Sequence, residues 1–374
     1  MITTYKIDIK QPATPVQQQE RAQILDVLRG LAILGILLNN IYGFSGYGFL
    51  SEEMRQQFST FNADHFLNFL QITFVEGKFY SLFSLLFGIG FSIILIRNQQ
   101  KGINPLPIFY RRLGVLLLIG AAHLYFLWQG VILLLYALVG LLLPLFRKCT
   151  NKALLIWASV FILAPIAIDA IRLWLKWSPG DFLQPIGLSI DERVGITEEN
   201  WRTYIFKEGS GFTEWWNWQQ TSFIYRYSSL LNNNRILKVL GMFLIGLYVG
   251  RKMIYANLDH YRNLFKKIML WGFAVGVPAS FVMYLFEGDE KFIPSSSLGM
   301  YDTVFYALSV VPLSLAYASA ICLFWIKKKG ITRLSVFAPV GRMALTNYLM
   351  QTLIASFLFY GAGLGLGQKF GLVV

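Results

Sequence analysis

The sequence has few charged residues, few cysteines and few histidines, and each shortage excludes a class of protein. Only 14% of the 374 residues are charged and 55% are hydrophobic, whereas about a quarter of the residues in a soluble domain carry charge. Two cysteines do not predict a disulfide framework. Three histidines, His65, His123 and His260, lie too far apart in sequence to predict a metal site. Neither a nucleotide-binding glycine loop nor a GxSxG elbow occurs.

Acidic residues are also scarce, so the formal net charge is +13. The lysines and arginines stand in short clusters beside apolar runs. This pattern is typical of membrane topology signals rather than of a phosphate-binding face. We therefore expect no nucleic-acid partner.

Long apolar runs are what the sequence has in abundance, and they predict an all-α, polytopic transmembrane helical bundle. Runs of roughly 20 residues suit membrane-spanning helices, whereas a membrane barrel would show short alternating segments. We expect about nine to ten spans, with an interfacial helix before the second. The nine that can be delimited are about 24–43, 77–96, 112–128, 131–146, 153–174, 236–250, 268–286, 303–326 and 336–360.

The charges between the spans alternate in sign, which predicts the orientation. Basic clusters such as Arg111 and Arg112 are expected on the cytoplasmic side of a bacterial inner membrane. Residues 1–22 are then a cytoplasmic tail and residues 23–374 a single transmembrane domain in contact with the lipid bilayer. Within this domain, the Trp-rich segment at about 175–233 is expected to be extracytoplasmic, as an interfacial cap or a binding surface. Whether the protein forms a homo-oligomer stays open.

Polar residues inside apolar runs are the first candidates for function, because charge in a bilayer is costly. In the first span, Asp26 and Arg29 are three residues apart and therefore adjacent on one helix face. Asn40 lies eleven residues after Arg29, on nearly the same face. This polar stripe would line a substrate path, or it would be an internal ion pair that fixes helix packing.

Three further groups carry polar residues. The first lies around the interfacial helix and comprises Asp64, His65, Asn68, Gln71, Glu76 and Lys78; it would form either a site or an ordinary solvated helix face. In the second, His123 follows Arg112 by eleven residues on one face; it would be either a general base or a packing hydrogen-bond partner. The third comprises Arg342, Thr346, Asn347 and Gln351 at the start of the last span.

Several segments resemble, in the same order, those of the YeiB-like family of bacterial inner-membrane proteins. They are LDVLRGLAILGILLNNI, GKFYSLFSLLFGIGFSI, RRLGVLLLIGAAHLYFLWQG with the following ILLLYALVGLLL, and GRMALTNYLMQTLIASFLFYGAGLGL. The resemblance covers most of residues 22–367. The Asp-x-x-Arg-Gly-x-Ala opening also resembles that of transmembrane acyltransferases of the heparan-glucosaminide acetyltransferase type. Those enzymes pass an acyl group from cytosolic acyl-CoA to an acceptor across the membrane, often a sugar.

The resemblance implies roles for individual residues. His123, or His65 beside Asp64, would be the catalytic base. Arg29, Asn40, Arg111 and Arg112 would hold the acyl-CoA, and no metal is expected. The residues expected to line the path of an extracytoplasmic glycan or small-molecule acceptor are Asp26, Glu76, Lys78, Gln129, Arg342, Asn347 and Gln351. The chain departs from the family pattern at Val131, where an Asp is usual, and it stops at Val374, where relatives usually continue with another span.

Two other functions fit the same residues. The polar stripe would also suit a transporter of a small anionic or amphipathic solute, although paired broken helices in corresponding halves are not evident. A non-catalytic membrane scaffold, with the Trp-rich segment as its partner surface, is the third hypothesis.

Overall fold

A computed structural model of the protein describes residues 22–286, 296–327 and 333–373. Of the predicted cytoplasmic tail, residues 1–21 therefore lie outside the described residues. Every regular element within the described ranges is helical. The helices are Gln23–Phe44 (α1), Glu52–Arg55 (α2), Phe61–Phe74 (α3), Lys78–Gln100 (α4), Leu106–Phe126 (α5), Leu133–Gly140 (α6), Asn151–Leu175 (α7), Gln184–Val194 (α8), Phe212–Asn232 (α9), Arg235–Arg251 (α10), Arg262–Leu285 (α11), Ser297–Ile326 (α12), Ala338–Arg342 (α13) and Ala344–Phe359 (α14).

The all-α membrane bundle expected from the sequence is confirmed. In the described part of the chain, six helical segments are long and apolar enough to cross a bilayer. They are α1, the combined segment Phe61–Gln100, α5, α7, α11 and α12. The predicted spans at 236–250 and 336–360 coincide with the shorter helices α10 and α14. The total of nine to ten spans stays a prediction.

The centre of the bundle is the crossing of α4 and α10. A Cβ placed on Gly88 would lie 2.1 Å from the Phe243 carbonyl oxygen, and one on Gly246 would lie 2.1 Å from the Leu85 oxygen. Only glycine therefore allows the two backbones to approach this closely. Gly250, one turn further along α10, likewise packs against Ser92.

A second close crossing holds the Asp-x-x-Arg-Gly opening against α13. A Cβ on Gly30 would lie 2.2 Å from the Phe337 oxygen, and one on Gly341 would lie 1.8 Å from the Asp26 oxygen. The opening motif and the Gly-Arg-Met segment, about 310 residues apart in sequence, are therefore in direct backbone contact. This contact gives the glycine of the opening motif a structural role.

The hydrophilic segments fold together at the end of the bundle where α1 ends, and we call residues 45–60, 176–234 and 360–373 the cap. Their backbones are joined by hydrogen bonds. The Gly361 N–H donates to the Ile205 carbonyl (2.9 Å), and the Gln368 N–H donates to the Ser45 carbonyl (2.8 Å). Aromatic contacts reinforce these bonds, since Phe49 packs edge-on against Trp201 and Trp218. The Trp-rich segment is thus a packed layer over one end of the bundle.

Candidate functional site

A cavity of about 1080 Å³ lies at the cap end of the bundle. It is surrounded by residues of α1, α3, α4, α10, α11, α12 and α14, and by residues of the cap, including α9. Glu52 and Glu53 line it and are exposed, so they mark its mouth. Its size is that of a small-molecule site.

The cavity reaches about halfway along α1. Its α1 lining runs from Gly43 down to Gly35, a depth of roughly 12 Å at the rise of an α-helix. Below this level, Ala32, Ile33 and Leu82 are at most 1% exposed. The packed core therefore closes the cavity on the side away from the cap.

Amide side chains form one wall of the cavity. Asn39 and Asn40 come from α1, and Asn68 and Gln71 from α3. The Gln71 side chain donates to the Asn39 carbonyl (3.4 Å), while the Asn39 Oδ1 is buried without a hydrogen-bond donor in the described structure. Asn40 is thus the member of the predicted polar stripe that reaches the cavity.

Aromatic rings form the opposite wall. Tyr80 and Tyr306 share a hydrogen bond between their hydroxyl groups. The Tyr348 hydroxyl accepts a hydrogen bond from the Ile132 N–H (3.4 Å). Trp128 also lines the space, and its ring packs at a tilted angle against Phe44, with centroids 4.2 Å apart. These rings combine apolar faces with hydroxyl groups, which is a common lining for a site that binds an organic molecule.

Four arginines reach the cavity, and none belongs to the predicted site. Arg55 and Arg202 lie near the mouth, where each is held by a cap carbonyl (Gly48 at 3.5 Å and Phe49 at 2.8 Å). Arg226, on α9, and Arg235, at the start of α10, line the inner part. A sequence signal for Arg235 exists, because it lies at the predicted outer end of a span, where basic residues are disfavoured.

The two residues of the predicted pair Asp64 and His65 have different surroundings. His65 lines the cavity, and its Nε2 lies 2.7 Å from the Tyr284 hydroxyl. Asp64 is fully buried; its carboxylate accepts hydrogen bonds from the Thr60 hydroxyl (2.8 Å) and the Val373 N–H (3.0 Å). Asp64 therefore anchors the last described residues of the chain, and His65 is the member of the pair that faces the cavity.

His123 lies one side chain behind the cavity wall. Its ring stacks on Tyr348, with centroids 5.4 Å apart, and its Nε2 lies 3.0 Å from the Thr352 hydroxyl. The ring is 1% exposed. Val131, where the resemblance leads us to expect an Asp, is buried, and its carbonyl accepts a hydrogen bond from Arg226 (2.8 Å).

The other predicted site residues fall into two groups. Glu76 lines the cavity. The residues that do not line it are Asp26, Arg29, Lys78, Arg111, Arg112, Gln129, Arg342, Asn347 and Gln351. Asp26 and Arg29 form the expected ion pair (2.8 Å). Lys78 is fully buried and donates to the Ile72 carbonyl (2.6 Å). Asn347 donates to the Val340 carbonyl (2.9 Å), which ties α14 to α13.

The sequence of the chain is similar to those of several bacterial proteins. A family described as "Protein of unknown function (DUF418)" matches residues 249–374. The "Uncharacterized protein YxaH" of Bacillus subtilis (strain 168) is 32% identical over 373 residues, covering 95% of this chain and 85% of that protein. The "Uncharacterized protein YeiB" of Escherichia coli (strain K12) is 28% identical over 360 residues, covering 92% and 85%. No solved structure matches the chain.

Proposed function

The chain belongs to the YeiB-like family of proteins, and from this premise we propose that it is a transmembrane acyltransferase whose acceptor binds in the cavity at the cap end. One observation carries the proposal. Both histidines that stand out in the sequence converge on this cavity, His65 in its wall and His123 directly behind Tyr348. Acyl-CoA is the proposed donor, and because the packed core closes the cavity on the side away from the cap, we propose that its acyl group enters from that side in a second conformation of the bundle.

The chemistry needs a base beside the acceptor. An acceptor hydroxyl or amine attacks the thioester carbonyl, a C–O or C–N bond forms, and the C–S bond breaks. The proton of the acceptor passes to His65 and then to the departing thiolate of CoA. The Tyr284 hydroxyl, 2.7 Å from the His65 Nε2, holds the imidazole in the wall. His123 is a positioning residue, since it supports the Tyr348 ring rather than facing the cavity.

The test measures the rate at which the purified, lipid-reconstituted protein releases free CoA from acetyl-CoA. Neutral sugars and amino sugars serve as acceptors. We expect His65→Gln to lower the rate by on the order of 100-fold or more, since a general base contributes about that much. His260→Gln is the matched control, because His260 is exposed and lies outside the cavity lining. Wild-type protein that releases no CoA, or His65→Gln at the wild-type rate, contradicts the proposal.

Transport of a small anionic or amphipathic solute is the second candidate, and the one-sided cavity favours it. A binding site open at the cap and closed by Ala32, Ile33 and Leu82 is also what a transporter presents in one of its two states. Gradient-dependent uptake of a solute into proteoliposomes, without CoA release, would favour this function. The scaffold hypothesis lacks such support, because it requires a bundle without a ligand cavity.

A further inference from the structure

Arg226 and Arg235 reach the same cavity from two helices that are joined by one anchored turn. The turn joins α9 to α10 through Asn233 and Asn234, and Asn234 adopts a left-handed conformation (φ +52°). The Asn234 side chain donates to the Oδ1 of the fully buried Asp169 (2.8 Å). The turn is therefore fixed to α7, and the two arginines are held in place from one anchored segment.

Among the described residues, neither arginine has a carboxylate partner. In this part of the chain the Arg226 side chain donates one hydrogen bond, to the Val131 carbonyl, and its buried Nε has no acceptor. Within the described ranges, the Arg235 side chain takes part in no hydrogen bond and no ion pair. Arg172, by contrast, is a buried arginine with several partners: it pairs with Asp169 (2.9 Å) and donates to two carbonyl oxygens.

The charges around the pair favour an anion. Burial lowers the pKa of the Arg226 guanidinium from 12.5 to about 9, and the nearby charge of Arg235 acts in the same direction. Glu76 lines the cavity too, but among the described residues it forms no ion pair with either arginine. The inner cavity thus holds two guanidinium groups and one carboxylate, a net positive charge.

We propose that Arg226 and Arg235 form an oxyanion site, which binds the carboxylate or phosphate of an acidic acceptor molecule. Two guanidinium groups offer planar sets of N–H donors that suit these groups. That the bound molecule is an acyl acceptor rests on the acyltransferase function proposed above, whereas the oxyanion site itself does not. The phosphates of CoA share the same chemistry and are the other possible source of the anion.

Calorimetric titration of the purified protein tests the site directly. The probes are glucose 6-phosphate and glucuronate, with glucose as the neutral analogue and CoA as the donor-side probe. We expect both acidic sugars to bind at least tenfold more tightly than glucose. Arg226→Gln and Arg235→Gln should each weaken their binding on the order of 10- to 100-fold, the usual value of a charged hydrogen bond. Arg193→Gln is the control, since Arg193 is exposed on α8 outside the cavity.

The outcomes separate the two proposals. Equal binding of glucose and the acidic sugars, or unchanged binding by Arg235→Gln, overturns the oxyanion site. The Arg235 side chain makes no hydrogen bond in the described structure, so this variant should fold normally. If CoA binds and neither acidic sugar does, and if the two arginine variants weaken the binding of CoA, then the anion comes from the donor and the site does not bind the acceptor. Arginine-dependent sugar binding without any CoA release would leave the site standing and remove the acyltransferase function.

Discussion

Gly341→Ala should destabilise the protein strongly, because it forces apart the crossing that carries the Asp-x-x-Arg-Gly opening. The added Cβ would lie 1.8 Å from the Asp26 carbonyl oxygen, and contacts under 3.0 Å are essentially never seen. Both partners are backbone, so rotation of a side chain cannot relieve the overlap. The start of α1 and α13 must therefore separate by roughly 1 Å, in an interior that is close-packed.

The magnitude follows from two opposing effects. Overpacking a close-packed contact costs about 3 kcal/mol, and replacing glycine by alanine in a helix returns about 0.5–1 kcal/mol. We expect a net loss of about 2 kcal/mol or more in the free energy of unfolding. Gly114→Ala is the matched control, since a Cβ there would meet nothing within 4 Å; it should leave stability unchanged or raise it slightly.

The assay is reversible unfolding of the purified protein in mixed SDS and detergent micelles, followed by circular dichroism. If Gly341→Ala unfolds at the same SDS fraction as Gly114→Ala, the backbone contact does not carry the stability assigned to it. The structural explanation for the glycine of the opening motif would then fail.

Two further predictions concern buried charge. Asp169→Asn removes the carboxylate that accepts from Arg172, Asn234 and Thr303, so unfolding should become easier by about 3–5 kcal/mol. Asp259→Asn is the exposed control: it breaks the i,i+3 ion pair with Arg262 (3.1 Å) and should lower the free energy of unfolding by less than about 1 kcal/mol. Similar losses of stability in both variants would contradict the account. Binding of glucose 6-phosphate should weaken as the pH rises through about 9, because burial lowers the pKa of Arg226, which faces Arg235, Tyr80 and Tyr348, and the group then loses its proton. Calorimetry of the Arg226→Gln variant should show no such decline, and an equal decline in both proteins would assign it to another group.

The helices were predictable because a run of roughly 20 apolar residues is itself the signal of a membrane-spanning helix. Each of the nine apolar runs coincides with helical structure, although the 131–146 run divides into α6 and a 3-10 turn at Leu143–Phe146. The close approach at Gly246 was also predictable, since small residues spaced along a span allow backbones to touch.

The site was predictable only in part, because the spacing of residues along one helix does not fix their surroundings. Arg112 and His123 share a face of α5 by spacing, yet Arg112 is exposed and His123 is buried. Asp64 and His65 are neighbours in sequence, but one binds the backbone of Val373 and the other faces the cavity. The inner arginines come from α9 and the start of α10, and their approach to α1 depends on how the cap folds over the bundle. No local pattern encodes that approach.

One measurement tests the central claim most directly, the rate of CoA release from acetyl-CoA with glucosamine 6-phosphate or glucosamine as the acceptor. The two sugars carry the same amine and differ only in the phosphate. The account predicts a kcat/KM at least tenfold higher for the phosphorylated sugar, and loss of this preference in Arg235→Gln but not in Arg193→Gln. Equal rates with both sugars, or a preference that survives in Arg235→Gln, would contradict it.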